Sequence, residues 1–136
     1  YSGQTSVGAG TLQIGDGVNV GTLGSSERVE VAAGALLKIM NNSSIDDSAA
    51  VVLSEYGLFN GMLELADGVN ETVGALYFGE ELQAFGTWGS SLSDAQYKND
   101  TFFSGTGILT VVPEPATLGA ISIGLLALLR RQRRGA

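Results

Sequence analysis

Along residues 1–112 the apolar positions come in short runs, and none extends long enough with a 3.6-residue period to make an amphipathic helix. Seven such runs stand out: Thr11–Ile14, Val29–Val31, Leu36–Met40, Val51–Leu53, Met62–Leu65, Leu76–Phe78 and Ile108–Val112. Gly, Asn, Asp and Ser separate them. Short apolar runs bounded by turn formers predict strands. A small-residue lead-in recurs before several of them: AGTLQI at 9–14, AGALLKI at 33–39, NGMLEL at 60–65 and GTGILTV at 105–111. Gly10, Gly34 and Gly61 head the first three at nearly even intervals. One strand signature per unit of roughly 20–30 residues predicts a mainly β solenoid in which each unit is a rung. The same strand signals would serve a β-sandwich, with Asp16-Gly17 and Asp67-Gly68 as its hairpin turns.

The opening YSGQTSVGAGTLQIGDG narrows the choice. Tyr1, Gly3, Thr5, Val7, Gly10, Thr11 and Leu12 fit the form of the autotransporter-associated β-strand repeat, which this segment resembles over about a dozen residues. That resemblance implies a right-handed parallel β-helix, with small residues at tight corners and Val, Leu and Ile stacked inward.

Residues beyond Leu76 depart from the repeat. Tyr77, Phe78, Phe85, Trp88, Tyr97, Phe102 and Phe103 gather seven of the ten aromatics into one late stretch of the chain. A solenoid cannot leave its last rung open to water, so these residues predict an aromatic C-terminal cap. Between them GSSLSDAQYKND offers Ser91 or Ser93 as the cap of one or two helical turns. Because aromatic faces also pack on sugar rings, Trp88 and Phe85 are the candidates for a carbohydrate platform.

Charge divides the chain in two. Residues 1–115 hold all 14 acids and only Arg28, Lys38 and Lys98 as bases, a charge of −11. Residues 116–136 hold no acid and four bases, Arg130, Arg131, Arg133 and Arg134. The acidic body disfavours nucleic acid, whose affinity comes from clustered Lys and Arg. It equally disfavours lyase chemistry on an anionic glycan. With no His and no Cys in the chain, a Ser-His-Asp triad, a Cys nucleophile, a His/Cys zinc site and disulfides are all excluded. The acid pairs Asp46-Asp47 and Glu80-Glu81 would point to opposite faces of a strand and read as solvated turn acids. No catalytic residue, cofactor site or metal site is assigned.

The segment before the arginines is apolar all round. Within Ala116–Leu129 ten of fourteen residues are apolar and none is charged. A helix of that length spans about 21 Å, short of the roughly 30 Å hydrocarbon core, and the arginines extend it by snorkelling. The expectation is a membrane helix over 116–129 and a basic tail over 130–136. Positive residues flanking such a span remain cytoplasmic, which puts the acidic body outside. The chain opens Tyr-Ser-Gly-Gln-Thr, without an export signal, so the expectation is the C-terminal piece of a longer exported precursor.

The junction reads VVPEPAT at 111–117. Pro113-Glu114-Pro115, a short apolar run and an arginine cluster, in that order at the chain end, resemble the PEP-CTERM sorting signal. That resemblance implies processing by an exosortase, a membrane-embedded enzyme, with Pro113, Glu114 and Pro115 as the recognised motif. Two prolines fix φ and remove N–H donors, so the motif should be extended, and an extended segment belongs at the interface rather than in hydrocarbon.

The whole sequence therefore predicts an acidic β-repeat body over 1–112 and a sorting signal over 113–136. The expected protein is not an enzyme and binds no cofactor. It is an exported structural protein, tethered to the inner membrane in transit and then held at the cell surface or in extracellular polysaccharide. Two rival readings stand beside it: an adhesin or carbohydrate-binding passenger, and the tail of a larger secreted polysaccharide-acting enzyme.

Overall fold

A computed structural model describes residues 2–16 and 18–112, and among them it contains fifteen strands and no helix. The chain winds through about three turns. One face is built from β1 (Ser2–Val7), β3 (Ser25–Val31), β5 (Ala50–Leu53) and β10 (Ala75–Phe78), all parallel and paired in that order. A second face stacks β2 (Thr11–Ile14), β4 (Leu36–Ile39), β8 (Met62–Leu65) and β14 (Phe103–Ser104), again parallel. Parallel pairing of strands one turn apart is the solenoid pattern, not the hairpin pattern of a sandwich. Asp16 and Asp67 accordingly sit at corners between faces.

Alternation of side chains decides what goes inside. In β4, Leu37 and Ile39 are buried while Leu36 and Lys38 are half-exposed. The registers stack the inward residues in columns: Val7, Val31, Leu53 and Phe78 on the first face, and Leu12, Leu37, Leu63 and Phe103 on the second. Both columns begin with aliphatics and finish in a phenylalanine. Successive rungs on the second face advance by a nearly constant step, from Leu12 to Leu37 to Leu63. The lead-in glycines give a slightly different step because Ala35 is inserted. The carbonyl of Gly10 accepts from Leu36 N as that of Ala35 accepts from Met62 N, so Gly10 and Ala35 share one corner position.

All seven sequence-predicted strands form. GTGILTV, however, is not a further copy of the second-face rung. It becomes β15 (Ile108–Val111) on a third face, parallel to β9 (Asn70–Val73) and antiparallel to β12 (Gly86–Gly89), which in turn carries β13 (Tyr97–Lys98). The second face ends instead at β14, whose Phe103 follows Leu63 after a much longer stretch of chain than separates the earlier rungs. The inserted stretch supplies the closing strands, among them β11 (Glu81–Leu82), which folds back antiparallel on β10. At the corner between the first two faces, β6 (Glu55–Tyr56) and β7 (Phe59–Asn60) project as a hairpin.

The turn region 90–100 is where a helical turn was expected, and none forms. Its hydroxyls and amides instead cap local turns: Ser93 Oγ donates to the Ser90 carbonyl and accepts from Ala95 N, and Asn99 Oδ1 accepts from Thr101 N and Phe102 N. Side chains of these types compete with the helix for backbone partners, and here they win.

Candidate functional site: the end of the solenoid and its junction

β15 is held on both edges. It pairs with β9 from Ile108↔Asn70 to Val111↔Val73 and with β12 from Leu109↔Trp88 to Val111↔Gly86. A side-chain bond from Thr110 Oγ1 to Asn70 Oδ1, 2.8 Å, reinforces the first pairing. Val111 is buried, and Val112 N donates to the Val73 carbonyl at 3.0 Å. The folded body thus continues without slack to Val112, immediately before Pro113. Pro113, Glu114, Pro115, the apolar run 116–129 and Arg130, Arg131, Arg133 and Arg134 lie outside the described residues. No helix among the described residues is long and apolar enough to cross a membrane.

Above this strand the aromatics form one packed group. Phe78 stacks on Phe102 with centroids 4.1 Å apart, and meets Trp88 edge-on at 5.3 Å and Phe103 at 6.1 Å. Trp88 stacks on Tyr97 at 4.6 Å. Offset-stacked and edge-to-face pairs add to what burial alone contributes. Trp88 is only 8 % exposed and its Nε1 donates to the Ala84 carbonyl at 3.0 Å, so it presents no face to a sugar. Phe85, by contrast, is 46 % exposed. The two residues grouped as a carbohydrate platform are therefore separated by the fold, one inside and one outside.

The acids singled out in the sequence are solvent-facing, and one acid outside those pairs is not. Asp46 accepts from both N and Oγ of Ser48, which holds its carboxyl below the usual range; Asp47 is exposed. Glu80 and Glu81 are exposed. Asp16 is lowered by bonds from Asn19 and Val18, and Asp100 by Ser91. Among the described residues no group of three or more His, Cys, Asp or Glu is placed to hold a metal ion.

The exception is Glu71 in β9, fully buried and without a basic partner among its hydrogen bonds. Its two carboxylate oxygens accept from Ser44 N (2.9 Å) and Ile45 N (3.1 Å) of the preceding rung. On the third face the preceding rung has no strand there; Leu23 N reaches the Ser44 carbonyl, and the next link upward is this carboxylate. Glu71 replaces the missing backbone acceptors of a sheet ladder. Desolvation pushes its carboxyl up, while the two N–H donors oppose that shift. Sequence reading passed over it because Asn70-Glu71-Thr72 looks like a polar turn. The available signal was parity: Val69, Glu71 and Val73 alternate, and both valines face inward.

What the junction is for comes from its sequence. Residues 111–134 match the family model of the PEP-CTERM protein-sorting motif. The sorting motif indicates a secreted protein targeted to an exosortase. The match begins on Val111, the last residue of β15, so the sorting motif and that strand share a residue. It leaves the repeat body uncovered. No curated protein and no solved structure matches the chain.

Proposed function

We propose that the chain belongs to an exported structural protein with no catalytic activity of its own. Its body would supply an acidic, elongated surface at the cell envelope or in extracellular polysaccharide. Ala116–Leu129 tethers the precursor to the inner membrane with Arg130, Arg131, Arg133 and Arg134 on the cytoplasmic side. An exosortase then processes it at Pro113-Glu114-Pro115, and the body is released or re-anchored outside.

One observation supports this reading above the others: the body closes on a fully paired strand at Val111, where the sorting motif begins. Folding and processing segments abut, as they would in a substrate whose body is finished before its tail is read. The test is fractionation of cells making the full precursor with its exosortase, followed by mass spectrometry of the C-terminal peptide. Mature extracellular protein should lack Arg130–Ala136, and Glu114→Ala should remain with the membranes at precursor size. Recovery of intact Arg130–Ala136 from the extracellular protein would refute cleavage.

A carbohydrate-binding role draws support from a different place than Trp88. The β6–β7 hairpin carries Tyr56 at 80 % exposure, and Phe59 beside it is also exposed. Glycan retention that survives Trp88→Phe and is lost in Tyr56→Ala/Phe59→Ala would favour that reading.

A further inference from the structure

The membrane tether proposed above leaves the body little room. Val111 is locked between β9 and β12, and the apolar segment starts at Ala116. Five residues reach at most about 17 Å when fully extended. The headgroup layer takes up about 5–7 Å of that on its side of the bilayer. The corner of the body where β15 ends therefore cannot stand more than about 10 Å clear of the lipid.

Exposed apolar side chains stand near that corner, with the Gln96 amide beside Gly86. Val112 is 38 % exposed. The antiparallel ladder ends on the pair Gly86 and Val111, so Phe85 and Val112 are the next residues of the two chains at that end. The run leading to Phe85 travels along the last edge of the first face: Leu82 pairs with Tyr77, and Gln83 N donates to the Leu76 carbonyl at 2.8 Å. Leu82 stands 59 % exposed on this edge. All three side chains keep a substantial exposed part, although the aromatics next to them are closely packed inside.

We propose that Leu82, Phe85 and Val112 form a lipid-facing seat, on which the body rests against the bilayer interface while the precursor is tethered. An aromatic and two aliphatics at headgroup depth are the residue types that partition there. Glu80 and Glu81, at the start of the same edge, keep the contact shallow, and the charge of the body directs it to a zwitterionic rather than an anionic surface. The short tether supplies the proximity, and the apolar edge selects which side of the body turns to the lipid. This inference rests on the tethered-precursor reading.

The chain contains no cysteine, so single sites can be labelled cleanly. A bimane probe is placed on Ala84→Cys, which lies between two seat residues and leaves both intact. Further probes go on Val20→Cys, Leu58→Cys and Leu125→Cys. Each full-length chain is reconstituted in phosphatidylcholine vesicles with brominated acyl chains. Quenching at position 84 should be several times that at positions 20 and 58, and Leu82→Ser/Phe85→Ser should reduce it to their level without changing the far-ultraviolet strand spectrum. Equal quenching at 84, 20 and 58, with position 125 still quenched, would overturn the seat and leave the tether standing. Quenching strongest at 58 would overturn it in favour of the hairpin. An unquenched probe at 125 would remove the tether and the seat together.

Discussion

The rungs from β1 to β10 and the closing stretch from Gly79 to Val112 solve different problems with different residues. In the rungs most inward positions repeat an aliphatic, the strands of the first two faces are parallel, and every turn of chain is covered by the next. In the closing stretch antiparallel pairs, β10 with β11 and β12 with β15, enter beside the parallel ones, aromatics join the inward residues, and Ser90, Ser93, Asn99 and Asp100 satisfy backbone groups that no further rung will reach. A stacked core has to end somewhere, and rings end it efficiently. Phe78 and Phe103 each finish a column and also touch one another, so two columns are closed by one cluster.

That difference predicts where stability is concentrated. Phe103 is 1 % exposed and closes the column of Leu12, Leu37 and Leu63 while packing on Phe78 and Trp88. Phe103→Ala should lower unfolding stability by about 4 kcal/mol, against about 3 kcal/mol for Leu37→Ala at an interior rung. Urea denaturation of the two variants measures the order. Amide exchange should locate it: Phe103→Ala should accelerate exchange in β10, β14 and β15 before β3 and β4. The reverse order would mean that the rungs limit stability and the aromatic end merely follows.

The carboxylate that joins the third face is the next largest effect. Glu71→Ala would leave two buried N–H groups, Ser44 and Ile45, without an acceptor, at about 3 kcal/mol. Glu71→Gln keeps one acceptor and presents an amide N–H₂ to the other donor, so it should cost less. The two proteins should also differ with pH. A carboxyl raised by desolvation binds its proton more tightly in the folded state than in the unfolded one. Its contribution is therefore largest below the ordinary glutamate range and is lost as pH rises through the raised value. The stability gap between the wild-type protein and Glu71→Gln should widen as pH falls from about 7 to about 4. Asp16, Asp46 and Asp100, all lowered, act in the opposite sense in both proteins and cancel in the difference. A pH-independent gap would mean that the site is already solvated.

How much of this was legible in the sequence follows from the same contrast. The parallel rungs were readable because their inward residues repeat: Leu12, Leu37 and Leu63 follow similar small-residue lead-ins at nearly constant spacing. Residues 70–73 were not, since the inward positions of NETV are Glu71 and Val73 and half of the hydrophobic signal is missing. Ile108–Val111 was readable as a strand but not as a partner of β9, because a local pattern carries no information on which face a strand will join. The aromatic end was foreseen from crowding alone; that Trp88 points in and Phe85 out depends on the antiparallel return of β12. The junction was legible in full as a motif, because its meaning lies in the order of prolines, apolar run and arginines rather than in any fold.

The smallest effects test whether the corners of the rungs are constrained by space or by backbone angle. Gly34 and Gly61 both stand at the corner between the first two faces, in lead-ins that look alike in sequence. Gly34 has φ +83° with open space where a Cβ would go. Gly61 has no such angle, but a Cβ would collide with the Val31 carbonyl oxygen, which also accepts from Ser54 N. Gly61→Ala must move backbone and should cost about 2 kcal/mol, whereas Gly34→Ala bears only the left-handed penalty of about 1 kcal/mol. Asparagine separates the causes, because it tolerates the left-handed region but is larger than alanine. Gly34→Asn should recover part of the alanine loss, and Gly61→Asn should deepen it. If asparagine improved on alanine at both positions, backbone angle would govern the whole corner, and the similarity of the two lead-ins would be structural as well as sequential.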